Sequence, residues 1–265
     1  MNDECKTGGV FNKLIIVGII VSVIVAIGVI ASKDGNDEVY QYIEKGIDGI
    51  CTTVYETKFG DTLVLSSEPL THYNGVEADR NSKNIDERLS GSYNSPIKKV
   101  VILDEMMPRR TAGWFAGFNN LETIEGIEKI DVAFVEDMSQ MFYNCRSLKK
   151  IEGLSEWNVG NVTNMHEMFG WCMVLENIDD LSKWNVNNVK DMGNMFECCG
   201  CLQKIGDLSE WNVSNVKNFG YMFLGCNILK NIGNLDNWEI SDESDMIKMF
   251  SYCDELIKIP SWYQE

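Results

Sequence analysis

Residues 162–186 read VTNMHEMFGWCMVLENIDDLSKWNV, and residues 189–213 read VKDMGNMFECCGCLQKIGDLSEWNV. Set 27 residues apart, they match at Met165 and Met192, Met168-Phe169 and Met195-Phe196, Cys172 and Cys199, Leu175 and Leu202, Ile178 and Ile205, Trp184 and Trp211. The register continues through Met141-Phe142, Met222-Phe223 and Met249-Phe250, each followed by Cys145, Cys226 or Cys253. Copies this regular mark one structural unit used repeatedly. Weaker copies lie upstream, at Trp114-Phe115, Phe118, Leu121 and Ile124, then at Ile97, Val100 and Leu103. End repeats are commonly atypical, so the array is bounded at residues 96–265.

Met165, Met168, Phe169 and Cys172 lie at i, i+3, i+4 and i+7, which predicts a helix of about two turns. Asp137, Asn164, Asp191, Asn218 and Asp245 precede it, and Asp and Asn are favoured N-caps. The following Leu-x-x-Ile-x-x-Leu predicts a short strand centred on Ile, paired with its copies. One unit cannot bury its apolar face, whereas stacked units can. The expected class is α/β, a curved β/α solenoid whose Met, Phe, Cys, Leu, Ile and Trp columns are core.

Strand alternation turns the neighbours of each core Ile outward. These are Lys150, Asn177, Lys204 and Asn231 on one side, and Glu152, Asp179, Gly206 and Gly233 on the other. They vary between repeats while the core does not. The candidate binding face is Lys150, Glu152, Asn177, Asp179, Lys204 and Asn231.

The unit V-x-[NDS]-M-x-x-M-F-x-x-C-x-x-L-x-x-I-x-x-L-x-x-W-x-V, carried by Val162 to Ile178 and by Trp184-Asn185-Val186, resembles the BspA-like leucine-rich repeat. The variant is the DUF285 repeat of bacterial surface proteins. The resemblance implies a leucine-rich-repeat-like solenoid on a cell surface, used in attachment or protein binding without catalysis. Residues 1–95 fall outside it.

Leu14 to Ala31 is an uncharged run of 18 residues between Lys13 and Lys33. At 1.5 Å per residue a helix there spans roughly 27 Å, enough for a bilayer core. A transmembrane helix is expected, with a signal peptide cleaved after Ala31 as the rival. The domain reading is a cytoplasmic tail over 1–13, an anchor over 14–31, a juxtamembrane region over 32–95 and the repeats over 96–265 outside the cell. Within 32–95, spacing predicts a short helix over Asp37–Cys51, then a hairpin across Gly60-Asp61 and a polar linker over 74–95.

Net charge is −17 across 265 residues, with 40 acidic against 23 basic side chains. That excludes a nucleic-acid partner, which would need Lys and Arg on phosphates. With only His72 and His166, a His-based triad or multi-His metal site is not expected. No phosphate loop, nucleophile elbow or His-Glu-x-x-His motif is present. Of nine cysteines, five are ladder positions read as free buried thiols. Cys198-Cys199-Gly200-Cys201 lacks the second pair of a zinc site. Asp180 and Asp207 would stack one rung apart, read as a solvated acidic surface over a calcium site. Asn161-Val162-Thr163 and Asn212-Val213-Ser214 match the glycosylation sequon. The expected function is a membrane-anchored, non-catalytic surface protein, without cofactor or metal, binding proteins or host surface components. The alternatives are a structural coat component or an enzyme with its site in 32–95.

Overall fold

The computed structural model describes residues 41–45, 51–66, 72–73, 76–77 and 95–264. Leu14–Ala31 and residues 78–94 lie outside the described residues. Strands β1 (Gln41–Lys45), β2 (Cys51–Phe59), β3 (Thr62–Ser66), β6 (Lys99–Ile102) and β7 (Thr123–Glu125) form one open mixed sheet, in the order β1-β2-β3-β6-β7. β4 (His72–Tyr73) and β5 (Val76–Glu77) pair separately. The β1–β2 and β2–β3 pairs are antiparallel, and β3–β6 and β6–β7 are parallel. Gly60, at φ +62°, closes the β2–β3 hairpin in a conformation that costs glycine nothing. Leu63 and Leu65 join the main core while Phe59, Val64 and Val101 pack on the opposite face. The helix expected over Asp37–Cys51 is corrected: Gln41–Lys45 is a strand, paired antiparallel with Cys51–Tyr55.

The α/β class and the leucine-rich-repeat-like β/α solenoid are also corrected, while the transmembrane helix expected over Leu14–Ala31 lies outside the described residues. Among the described residues there is no α-helix, only two three-residue 3-10 helices at Ile127–Lys129 and Leu235–Asn237. None is long and apolar enough to cross a membrane. Among the described residues of the repeats, regular strand pairing is confined to β6 and β7. Beyond them, two residues per copy pair with the next through isolated bridges, one in the column Asp137, Asn164, Asp191, Asn218 and Asp245 and one in the column Lys150, Asn177, Lys204 and Asn231. Each repeat is a run of tight turns.

Backbone accounting in one copy shows why the helix does not form. The N–H groups of Met165, Glu167, Phe169 and Trp171 donate to the carbonyls of Asp191, Gly193, Met195 and Glu197 in the next copy, at 2.7–2.9 Å. The intervening N–H groups of Met168, Gly170 and Cys172 close local turns on Met165, Glu167 and Phe169. His166 N donates to Asn164 Oδ1. Every donor from Met165 to Cys172 is satisfied, half of them by a neighbour. Glu167 and Trp171 stand at φ +55° and +63°. Positive φ at the third residue of a turn is the type II geometry, and it is incompatible with a right-handed helix. The i, i+3, i+4, i+7 spacing therefore serves a turn spiral that also buries those positions on one side. The Asx column caps it by accepting from the N–H two residues on, as Asp137, Asn164, Asp191, Asn218 and Asp245 all do.

The apolar columns form ladders. Phe115, Phe142, Phe169, Phe196, Phe223 and Phe250 stack with ring centroids 5.4–5.6 Å apart. Cys145, Cys172, Cys199, Cys226 and Cys253 are free thiols, each donating Sγ–H to a Phe carbonyl of the preceding copy at 3.0–3.2 Å. A thiol fits because the site needs a small group and one weak donor. Trp157, Trp184, Trp211 and Trp238 donate Nε1–H to the carbonyls of Ile127, Leu154, Leu181 and Leu208 at 2.8–3.2 Å. The Trp column thus buries an aromatic body while satisfying its one polar atom.

Candidate functional site

Ile151, Ile178, Ile205 and Ile232 are buried, and their neighbours lie at the surface. Between the copies a groove of about 420 Å³ is lined by Asn177, Asp179, Asp180, Lys204, Gly206, Asp207, Asn231 and Gly233. Four of the residues read from sequence meet here: Asn177, Asp179, Lys204 and Asn231. Lys150 and Glu152 do not line it; they are exposed and pair with each other at 3.0 Å.

The Asn and Asp side chains of the lining are held from below. Asn177 and Asn231 accept through Oδ1 from the N–H of Asp179 and Gly233. These Asx turns leave the amide N–H groups for other partners. Asp179, at φ +68°, reaches the preceding copy, where Oδ2 accepts from Gly153 N and Leu154 N at 2.5 and 3.0 Å. It ties two copies together. Asp180 accepts from Ser182 N at 2.9 Å, and Asp207 from Ser209 N at 2.9 Å and from the Ser209 hydroxyl. The Ser182 backbone bond holds the Asp180 carboxyl below the usual carboxylate range. The Ser209 hydroxyl and N–H do the same for Asp207. Both are charged at neutral pH. Lys204 makes no ion pair among the described residues.

Gly206 and Gly233, at φ +95° and +87°, leave the floor bare. A Cβ on Gly206 would collide with the Asp180 carboxylate, and one on Gly233 with that of Asp207. Each aspartate of one copy therefore lies over the glycine of the next. Asp180 and Asp207 belong to the groove although sequence reasoning left them as a solvated pair. Their signal was the 27-residue spacing from Asp180 to Asp207, with Gly206 and Gly233 each 26 residues after one of the aspartates. Among the described residues no group of three or more His, Cys, Asp or Glu is placed to hold a metal ion. The groove offers fixed carboxylates, amides and one ammonium, suited to hydrogen bonding and charge pairing with a ligand.

A second polar cluster surrounds His166. Its Nδ1 lies 3.3 Å from Asp191 Oδ1, and its Nε2 lies 3.8 Å from Glu167 Oε2. Asn218 Nδ2 also donates to Asp191 Oδ1. The Asp191 hydrogen bond raises the His166 pKa above its ordinary value, against the effect of burial.

These tightly coupled 27-residue copies define a repeat protein whose surface chemistry is carried by positions between invariant core columns. The chain belongs to the family described as "Mycoplasma protein of unknown function, DUF285", which matches residues 111–207 and 203–264. No curated protein matches the chain, and no solved structure matches it.

Proposed function

We propose that the protein is a non-catalytic, protein-binding scaffold of a cell surface, of the BspA-like kind, and that its partner seats in the groove lined by Asn177 to Gly233. The groove itself carries this reading: it crosses three copies, and its Asn and Asp side chains are pre-ordered by hydrogen bonds to the backbone. Binding to pre-ordered groups loses less conformational entropy. Extended surfaces of repeat arrays suit macromolecular partners. The groove holds three carboxylates and one lysine, so a partner segment carrying Lys or Arg is the best match. Placement at a membrane rests on the apolar run Leu14–Ala31.

The test is a combined Asp180→Ala, Lys204→Ala and Asp207→Ala variant, compared with wild type for retention of proteins from a surface extract of the producing cells. Asp179 is left intact because it ties two copies together. The folded variant is expected to lose the wild-type partner, and full retention would overturn the reading. Protease treatment of intact cells tests the location: digestion of the repeats is expected, and protection until permeabilisation would contradict it.

A further inference from the structure

Two sequons, Asn161-Val162-Thr163 and Asn212-Val213-Ser214, are treated differently by the fold. Both asparagines are exposed. Asn161 Nδ2 donates to Ala133 O at 2.6 Å, one rung of a ladder with Asn188 to Gly160 O and Asn215 to Asn187 O. Thr163 Oγ1 donates to Glu136 O at 3.1 Å. The amide nitrogen and the hydroxyl of this sequon are thus both committed to the preceding copy.

Asn212 lies in another column. Its Oδ1 accepts from Ser214 N at 3.2 Å and from Ser214 Oγ at 2.8 Å. Among the described residues its Nδ2 has no partner. A hydroxyl donating to a carboxamide oxygen draws electron density toward that oxygen and makes the N–H more acidic. The nitrogen is then both accessible and easier to deprotonate. Asn158 and Asn185 occupy the same column and form the same turn with Gly160 N and Asn187 N. Neither has a hydroxyl two residues on, so both are internal controls.

We propose that Asn212 is a glycan acceptor in the folded protein and that Asn161 is not. The reaction joins Nδ2 to C1 of an activated glycosyl phosphate. The bond from C1 to the phosphate oxygen breaks, its electron pair leaves with the phosphate, and one Nδ2 proton passes to a base of an external glycosyltransferase. The donor class is a polyprenyl-pyrophosphate-linked oligosaccharide. The fold's contribution is selection between two acceptors that both match the sequon.

The full chain, folded or denatured and reduced, is incubated with an oligosaccharyltransferase and its polyprenyl-pyrophosphate-linked oligosaccharide, and occupancy is read by peptide mass mapping. The denatured chain is expected to carry glycan at both sequons and the folded chain at Asn212 alone. Ser214→Ala is expected to abolish modification of the folded chain. Asn187→Ser, which places a hydroxyl after Asn185, is expected to add a second glycan there. Equal occupancy of Asn161 and Asn212 in the folded chain, or none at Asn212 while the denatured chain is modified, would overturn the proposal.

Discussion

His166 and Asp191 form the clearest titrating pair among the described residues. The Asp191 carboxyl is opposed by burial, which raises its pKa, but hydrogen bonds from His166, Gly193 N and Asn218 outweigh this and lower it. The raised His166 pKa means that protonation favours the folded state. Its stabilisation is fully present below the unfolded pKa of about 6.5 and is lost as pH rises through the higher folded value. The urea midpoint is expected to fall from pH 6 toward pH 8, and His166→Gln is expected to flatten that fall; an unchanged slope would contradict the pairing. Gly206 gives a second prediction. Gly206→Ala adds a positive-φ penalty of about 1–2 kcal/mol and a collision with Asp180. In an Asp180→Ala background the collision is gone, so the same substitution is expected to cost less. Equal costs by thermal melting in the two backgrounds would show that the carboxylate does not lie over the glycine.

The turn spiral is the element that decides stability. Lys248 is exposed at φ +52° in the last copy. Lys248→Gly is expected to stabilise by up to about 1 kcal/mol, because glycine adopts this region without Cβ strain. Destabilisation would argue for a right-handed helical turn there. Phe196→Ala removes the centre of a ring stack that is fully buried, and is expected to cost about 3–5 kcal/mol. The existence and core of this element were legible in the sequence: the Met, Phe, Cys, Leu and Trp columns are buried through the central copies as read. Its backbone was not. Helix and turn spiral bury the same i, i+3, i+4, i+7 positions, so hydrophobic spacing alone cannot separate them. The missing information was the positive φ at Gln140, Glu167, Asn194, Tyr221 and Lys248. None of these is glycine, so the usual marker of a left-handed residue is absent. The groove was half legible for a related reason. Alternation around Ile located Asn177, Asp179, Lys204 and Asn231, but the Asp180-over-Gly206 contact depends on how copies stack.

Across the whole molecule, copies are coupled through backbone bonds, rings and thiols, so each ladder reports on the integrity of its neighbours. Burial raises the Cys145, Cys199 and Cys226 thiols well above their ordinary range and pushes Cys253 up to about 12. Reaction requires the thiolate. Iodoacetamide at neutral pH is therefore expected to leave these four unlabelled until denaturant unfolds the repeats together. Copy-by-copy labelling in denaturant would show that coupling is weak. The central claim is that each copy gives half of its turn N–H groups to the next. It makes the final copy different from the interior, because Phe250 N and Tyr252 N have no acceptor among the described residues, whereas Phe196 N bonds Met222 O and Cys198 N bonds Leu224 O. A helix would protect Phe250 and Tyr252 through its own i−4 carbonyls. Residue-resolved amide hydrogen exchange decides between them. The account predicts slow exchange at Phe196 and Cys198 and fast exchange at Phe250 and Tyr252. Comparable protection at all four would contradict it.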